Sequence, residues 1–369
     1  MTRSSVPYAG PASDYPTLVG DFDELVRERA RALGFAHIGV ASAAHSLEPD
    51  FGRYEAFVDA GMHGTMAYLA EAREARRRID RDSILEGARS IVCVAESYAG
   101  VDPTANDEGI VQHIARYARG GDYHNHLRRR VRKLAAFIRT LGEGTRARPM
   151  TDDAPLLERA WAARAGLGFV GKNGLLIVPG LGSFVLLGEV VTTLELAPQA
   201  PMAERCGSCT LCLESCPTQA FDRAFVLDPR RCISYLTIEL RGAMPAEQRL
   251  GVGEHLFGCD ACQDVCPYNR ARHGDVPSRY LPLERWRELS LEGLVDLDEE
   301  RYRTLTEGSP LKRATRQGLA RNAITILAGR RQMRYRALFE RVARDHHDAV
   351  VREHAAWGLE LLGPENPAK

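Results

Sequence analysis

The sequence has no long hydrophobic run and no net charge. None of its apolar runs approaches the roughly 18 residues of a transmembrane helix, so we expect no membrane partner. Its 49 basic residues balance 49 acidic ones, so any signal for a polyanionic partner must be local. The N-terminal run MTRSSVPYAGPASDYP lacks the apolar segment of a signal peptide. We interpret residues 1–19 as a flexible leader and expect a cytoplasmic protein.

Cysteine is scarce everywhere except in one segment, 206–266, which holds eight of the nine. The run CGSCTLCLESCP has the C-x2-C-x2-C-x3-C-P spacing of bacterial ferredoxins, and CDACQDVCP adds a shorter run. Such bunching argues against a disulfide framework and for a reducing compartment. The candidate metal ligands are Cys206, Cys209, Cys212, Cys216, Cys232, Cys259, Cys262 and Cys266. Eight thiolates suffice for two [4Fe–4S] clusters.

The spacing also predicts which cysteines share a cluster. In ferredoxins the fourth cysteine of a run, before proline, serves the other cluster. The second set then lacks one ligand, for which Cys232 is the candidate nearby. The two predicted sets are Cys206, Cys209, Cys212 with Cys266, and Cys216 with Cys232, Cys259 and Cys262. Zinc is the alternative, but the Cys-Pro steps and the x3 spacing favour cubanes. The ninth cysteine, Cys93, is interpreted as a buried core thiol.

The order of predicted elements indicates an α+β protein. Periodicity predicts helices over Asp21–Leu33, Arg128–Thr140 and Pro155–Ala165, with further helices starting at Arg231, Leu319 and Val350. It predicts strands over Ala36–Ser42 and Ser90–Tyr98, a strand in ARPMT, and a hairpin around a Pro-Gly turn after Gly174. We expect a mixed α/β domain over 20–200, a two-cluster module over 201–275, and HEAT-like helical repeats over 276–369.

Two features of the N-terminal domain could carry chemistry. The run GLGFVG, Gly166–Gly171, matches a dinucleotide fingerprint by letter, but it follows a helix instead of a strand. We interpret its glycines as allowing a tight turn or a close backbone approach. Asp152 and Asp153 precede a predicted helix, where an N-cap is the simpler interpretation. A proton donor whose pKa is raised by an apolar pocket is the other interpretation.

One segment of the C-terminal region is strongly basic. Residues 310–336 contain eight basic side chains and no acidic one. Such a face can bind phosphates, although it can equally be a solvated helix surface.

At this point the motifs identify a family. GMHGTMAYL, ARYARGGDYH, TDDAPLLERAWAARAGLGFVGKN and FGCDACQDVCPYNR, together with the first cysteine run, resemble the epoxyqueuosine reductases over nearly all of 20–365. The resemblance implies a cobalamin cofactor beside the two clusters and reduction of epoxyqueuosine to queuosine in tRNA. It also implies that the N-terminal α/β domain binds cobalamin, and that an external donor supplies electrons. We expect a monomer.

The resemblance assigns roles to particular residues. It makes Asp152 the general acid and gives Asp153 no chemistry. It suggests cobalamin contacts at Arg78, Ala115, Asp152, Arg159, Lys172, Leu176 and Ser234. Candidate tRNA contacts are Arg241, Lys312, Arg313, Arg316 and Arg321. Tyr123 and His124 are interpreted as packing at a helix start.

Two rival functions remain open from the sequence. One is a cobalamin-dependent small-molecule reductase such as a reductive dehalogenase, against which the basic C-terminal helices and the missing twin-Arg signal argue. The other is a ferredoxin-like electron carrier with an RNA-binding appendage, which the large N-terminal domain disfavours.

Overall fold

The computed structural model describes residues 20–35, 37–98, 100, 108–152, 154–270 and 276–364. The predicted leader and Asp153 lie outside the described residues. The helices are α1 (Gly20–Ala32), α2 (Asp50–Asp59), α3 (Arg73–Arg77), α4 (Tyr123–Ile138), α5 (Glu158–Arg164), α6 (Leu211–Glu214), α7 (Ala246–Arg249), α8 (Ala261–Asp264), α9 (Leu291–Val295), α10 (Glu299–Thr306), α11 (Thr315–Gly329), α12 (Arg336–Asp345) and α13 (Ala349–Leu362). The strands are β1 (His37–Ser42), β2 (Ser90–Ser97), β3 (Ala147–Met150), β4 (Phe169–Val170), β5 (Leu176–Ile177), β6 (Val185–Thr192), β7 (Phe221–Arg223) and β8 (Val226–Leu227).

An antiparallel sheet with the order β1-β2-β6-β3 organises the N-terminal part. Its central strand β2 is buried along nearly its whole length. Ile91 and Cys93 pack into the core that contains Trp161 of α5, whereas Val92 and Val94 pack into the core that contains α1 and α4. Helices therefore cover both faces of the sheet, which explains why β2 is apolar from Ile91 to Ala95. Cys93 is fully buried there.

The predicted hairpin after Gly174 is wrong. The first apolar run forms β5, which pairs with β4. The second run forms β6, which lies in the centre of the sheet between β2 and β3. A tight turn does form between them, with Val178 bridged to Gly182. The local turn signal was therefore sound, but pairing over long sequence distances decided the partners of both strands.

The glycines of Gly166–Gly171 serve backbone packing. A Cβ added at Gly168 would come within 2.3 Å of the Ile177 carbonyl oxygen, so only glycine lets β4 lie this close to β5. The segment follows α5 and leads into a short strand pair, which excludes the strand-turn-helix order of a dinucleotide site.

The C-terminal helices share one apolar core with a segment of the N-terminal half. Helices α11, α12 and α13 bury side chains in the same cluster as Ile110, Val111 and Ile114. The HEAT-like character of these helices and the boundaries at 200 and 275 stay predictions. Among the described residues, every helix is too short or too polar to traverse a lipid bilayer.

Candidate functional site

A cleft of about 1000 Å³ lies where the N-terminal sheet domain meets the C-terminal segments. This volume is at the upper end of the range for small-molecule sites. Tyr117, Ile238 and Phe257 give it apolar walls, and Lys312 and Arg313 add positive charge. Ile238 follows Cys232 by six residues and Phe257 precedes Cys259 by two. A molecule bound in this cleft would therefore lie beside segments that carry cysteines of the second predicted cluster.

Asp152 is the acidic centre of this cleft. Its Oδ2 accepts a hydrogen bond from the Tyr123 hydroxyl at 2.6 Å and lies 3.2 Å from the His124 Nε2. His124 Nδ1 lies 2.7 Å from the Asp122 carboxylate, which also caps α4 by accepting the His124 backbone N–H. Both imidazole nitrogens thus face carboxylate oxygens, an arrangement that suits an imidazolium. The first turn of α4 therefore builds half of the site.

The charges in this network put the proton on the histidine. Burial opposes ionisation of Asp152, but hydrogen bonds from His124 and Tyr123 and the charge of His124 hold its pKa below the ordinary value. Burial opposes protonation of His124, yet the Asp122 and Asp152 carboxylates raise its pKa to about 9. The expectation of a raised pKa at Asp152 is therefore wrong for this arrangement. The side chain of Asp152 is 53% exposed to the cleft, and its neighbours stabilise the carboxylate.

The N-cap interpretation of Asp152 is also wrong. Helix α5 begins at Glu158 with Leu157 as its cap residue, and no side chain caps it. The backbone of Asp152 instead adopts a left-handed conformation, with φ of 55°. Its N–H donates to Glu158 Oε1 at 2.7 Å. Asp152 therefore belongs to a shaped loop that aims the carboxylate at Tyr123 and His124.

Several of the eight candidate cysteine ligands lie close enough to raise one another's pKa, mostly within the two predicted sets. All eight are free thiols. Burial first, and then the nearby Cys232 and Cys216, raise the pKa of Cys259 to about 12. Burial, and then Cys266 and Cys209, raise the pKa of Cys212. Thiols that raise one another's pKa in this way become stable thiolates only beside cationic metal, so the donor set fits two clusters. Within the described residues, no three or more His, Cys, Asp or Glu side chains are spaced for a single metal ion.

Known proteins resemble this chain in sequence and fold. Residues 205–269 match the model for a 4Fe-4S double cluster binding domain, and residues 78–153 match the model described as Epoxyqueuosine reductase QueG, DUF1730. The epoxyqueuosine reductase of Gloeobacter violaceus is 39% identical over 313 residues, covering 82% of this chain and 94% of the relative. This chain belongs to the epoxyqueuosine reductase family.

Solved structures of epoxyqueuosine reductases have the same fold. One, in complex with an epoxyqueuosine-modified tRNA stem loop, matches with a TM-score of 0.85 and 29% identity over 93% of this chain and 90% of that one. The Bacillus subtilis enzyme, with its catalytic aspartate loop swung out of the active site, matches with a TM-score of 0.84 and 29% identity over 93% and 91%.

The other residues that the resemblance to epoxyqueuosine reductases suggested as cobalamin contacts do not lie together in the cleft. The described lining of the cleft includes Asp152 but none of Arg78, Ala115, Arg159, Lys172, Leu176 and Ser234. Ala115 and Ser234 lie close behind the cleft. The backbone N–H of Ala115 donates to the carbonyl of the wall residue Phe257 at 2.8 Å, and Ser234 directly precedes the π-helix Tyr235–Glu239.

Three of these side chains already have protein partners. Arg78 forms a two-pronged ion pair with Asp80, at 2.9 and 2.6 Å. Lys172 Nζ donates to the carbonyls of Gly207 and Cys209, at 2.6 and 2.9 Å, and so ties the β4–β5 turn to the first cysteine run. Arg159 donates to the carbonyl of Gly174. Leu176 is buried in β5.

Among the candidate tRNA contacts, Arg321 is wrong. It is 1% exposed, and its guanidinium is surrounded by acceptors. It donates to Leu236, Leu240, Gly242 and Asn322. A π-helix leaves carbonyls without their usual partners, so this arginine stabilises the segment after Cys232.

The remaining candidate tRNA contacts differ in their position relative to the cleft and in the protein groups with which they pair. Lys312 and Arg313 line the cleft, and Arg313 pairs with Glu239 at 2.7 Å. Arg316 is turned away, toward the Leu297 carbonyl and Glu299. Arg241 donates to the carbonyls of Ile238 and Arg313.

The sequence did not reveal the contacts that Tyr123, His124 and Glu158 make with Asp152. Tyr123 and His124 were interpreted as packing, whereas both contact Asp152. The motif ARYARGGDYH contains both residues, but a motif alone does not show which carboxylate its histidine meets. Glu158 had no local signal at all.

Proposed function

We propose that this chain reduces epoxyqueuosine to queuosine in tRNA and that Asp152 is its proton donor. The observation that carries the proposal is the Asp152–His124–Tyr123 network, which faces a large cleft bordered by the cluster-bearing segments. Relatives of this name and a relative with an epoxyqueuosine-modified stem loop support the substrate. Family membership favours this function over a small-molecule reductase or a simple electron carrier.

The cofactors that fit are two [4Fe–4S] clusters and cobalamin. The two groups of four thiols would hold the clusters, with Cys232 completing the second set. The cleft is large, and its aromatic and aliphatic walls suit a bulky, flat cofactor such as a corrinoid. The resemblance to epoxyqueuosine reductases assigns further contacts to Ala115, Arg159, Lys172, Leu176, Ser234 and Arg78, and we propose that they meet the cofactor through backbone or edge groups outside the cleft lining. Bound cobalamin would supply the low-potential electrons for the reduction, and an external donor would recharge it through the clusters.

The protein's own residues supply protons and position. Reduction of an epoxide to an alkene consumes two electrons and two protons and releases one water. Asp152 lies where a departing oxygen could take a proton, and His124 holds a proton next to it. Tyr123 fixes the orientation of the carboxylate. Asp152 and His124 thus share one proton, which cannot be assigned to either group alone.

The turnover number is expected to fall as pH rises through about 9. The pKa of His124 is raised to about 9, so the pair keeps its proton below that pH and loses it above. In His124→Asn, Asp152 must carry the proton itself, which moves the alkaline limb to lower pH. The pH profile of kcat measures this, with His126→Asn, on the same helix, as the matched control. If kcat of His124→Asn fell at the same alkaline pH as kcat of the unaltered protein, His124 would not hold the proton.

For tRNA affinity, Lys312 is expected to matter more than Arg316. Lys312 is exposed at the cleft, whereas the charge of Arg316 is paired with Glu299 and its guanidinium also donates to the Leu297 carbonyl. Lys312→Ala should weaken binding of the tRNA and reduce the slope of log K against log salt by about 1. Arg316→Ala should leave that slope unchanged. Fluorescence anisotropy at several salt concentrations measures both, and equal slopes for Lys312→Ala and the unaltered protein would remove Lys312 from the interface.

We also propose that α11–α13 form a short HEAT-like array behind this surface and that the chain acts as a monomer.

The function can be tested in cells. A bacterium that lacks its own epoxyqueuosine reductase accumulates the epoxide in tRNA, and expression of this chain with cobalamin in the medium should convert it to queuosine. Mass spectrometry of digested tRNA distinguishes the two nucleosides by one oxygen atom. Persistent epoxyqueuosine, despite expressed and cluster-loaded protein, would reject the proposal.

A further inference from the structure

Two carboxyl groups stand behind Asp152 that the proposed chemistry does not use. Glu189 lies on β6, at the position that pairs with Met150 at the end of β3. It is 0% exposed, and no donor among the described residues reaches either of its carboxylate oxygens. An isolated buried carboxylate is expensive, so a group of this kind needs a partner or a proton.

The partner of Glu189 is Glu158. Burial and then the Glu158 carboxyl raise the pKa of Glu189 well above its ordinary value. Burial and then the charge of Asp152 raise the pKa of Glu158 to about 7. Two carboxyl groups can hydrogen-bond to each other only when one is protonated. The pair therefore holds at least one proton near neutral pH.

Glu158 also touches the proposed acid through its backbone. Its Oε1 accepts the N–H of Asp152 at 2.7 Å, and the backbone of Asp152 is left-handed at that point. A non-glycine residue avoids this conformation unless its surroundings impose it. Charge-assisted hydrogen bonds to backbone N–H groups are among the stronger ones, so Glu158 can offset this cost.

We propose that Glu158 is a positioning residue that holds the Asp152 loop in its active arrangement, and that Glu189 keeps Glu158 in place by sharing a proton with it. This inference rests on the proposed function, because it concerns the acid of that reaction. Three carboxyl groups thus follow one another inward from the cleft: Asp152 and Glu158 line the cleft, and Glu189 is fully buried behind them.

The other ionisable side chains around these carboxyl groups interact elsewhere, so Glu158 is the group that interacts with Glu189. On α5, Arg159 reaches the Gly174 carbonyl, and Arg164 reaches the carbonyls of Ser46 and Glu48. On β2, Cys93 pairs in register with Glu189, and burial, then the charge of Glu189, raise the pKa of its thiol, which stays neutral. From α4, Tyr123 donates to Asp152 and not to the pair.

Hydrogen exchange tests the positioning without any turnover. In Glu158→Ala the Asp152 N–H loses its acceptor, so exchange in peptides covering 147–157 should accelerate by roughly 10-fold or more. Glu158→Gln keeps an acceptor oxygen and can donate its amide to Glu189, so its exchange should stay close to that of the unaltered protein. Glu28→Gln, on the exposed side of α1, is the surface control. Unchanged exchange in Glu158→Ala would overturn the proposal.

Kinetics separate this inference from the proposed function. With reconstituted holoenzyme, Glu158→Ala should lower kcat for epoxyqueuosine-bearing tRNA by roughly 10- to 100-fold, with KM within about 3-fold, and Glu158→Gln should restore most of kcat. An unaltered holoenzyme that converts no tRNA rejects the function. A converting enzyme whose Glu158→Ala variant is equally fast rejects only the positioning role.

The shared proton predicts a pH-dependent stability difference. The folded chain binds a proton at Glu189 that the unfolded chain releases at lower pH, so the stability of the unaltered protein falls as pH rises. Glu189→Gln carries no such proton. Its Tm, relative to the unaltered protein, should therefore increase between pH 6 and 9. A Tm difference that does not change with pH would show that Glu189 is not protonated in the folded state.

Discussion

Asp152→Asn is expected to lower kcat for epoxyqueuosine-bearing tRNA by about 10²- to 10⁴-fold, the usual range for loss of a general acid. Asparagine keeps an oxygen that can accept from Tyr123 and His124, so the loop should hold its shape. The amide has no proton to give at the departing oxygen. Stopped anaerobic turnovers, with queuosine counted by mass spectrometry, measure the loss.

The comparison needs proof that only chemistry has changed. Iron content, the cobalamin absorption spectrum and tRNA affinity of Asp152→Asn should match those of the unaltered protein. Asp59→Asn is the matched control, because Asp59 is exposed and pairs with Arg73 on the surface. If Asp152→Asn turned over within 3-fold of the unaltered enzyme, Asp152 would not be the proton donor.

Cys232→Ala is expected to abolish turnover and to halve the bound iron, from about eight atoms per chain to about four. Cys232 is the proposed ligand outside both cysteine runs; it is half-buried, and it interacts with Cys216 and Cys262. A cubane that loses one of its four thiolates in a solvent-accessible module is not retained. Iron and sulfide analysis, together with electron paramagnetic resonance of the reduced protein, measures the loss.

Cys93→Ala is the control for this prediction. Cys93 is the ninth cysteine, and it lies in the core of the sheet, away from the two-cluster module. Its alanine variant should keep all its iron and most of its activity. The first cluster should still give its resonance signal in Cys232→Ala, which shows that the module has folded. Eight irons in Cys232→Ala would exclude Cys232 as a ligand.

The two-cluster prediction was accessible from sequence because cluster ligands are set by local spacing. Cys206 to Cys216 lie within eleven residues, and the matched double cluster domain confirms the cofactor class. Strands β1, β2 and β3 were likewise predicted close to their observed bounds, since their apolar runs are short and flanked by turn signals. Both are properties that a few neighbouring residues determine.

The rest depended on contacts between distant segments. The position of β6 is fixed by its pairing with β2, 88 to 102 residues earlier, and with β3, 39 to 45 residues earlier, which no local pattern encodes. Asp152 was placed at a helix cap by local chemistry, yet its partners come from α4, 28 and 29 residues earlier. Arg321 lies among basic residues in the sequence, but in the fold its side chain is buried, where it donates to a carbonyl of the π-helix after Cys232. Charge counts along a chain cannot distinguish these two cases.

The central claim is that this chain reduces an epoxide on tRNA and that cobalamin is required. The most direct measurement is a single anaerobic incubation of the purified, cluster-reconstituted protein with epoxyqueuosine-bearing tRNA and a strong reductant, with and without cobalamin. Nucleoside mass spectrometry should show loss of one oxygen only when cobalamin is present. Equal conversion in both arms would contradict the cofactor assignment, and no conversion with cobalamin bound would contradict the function.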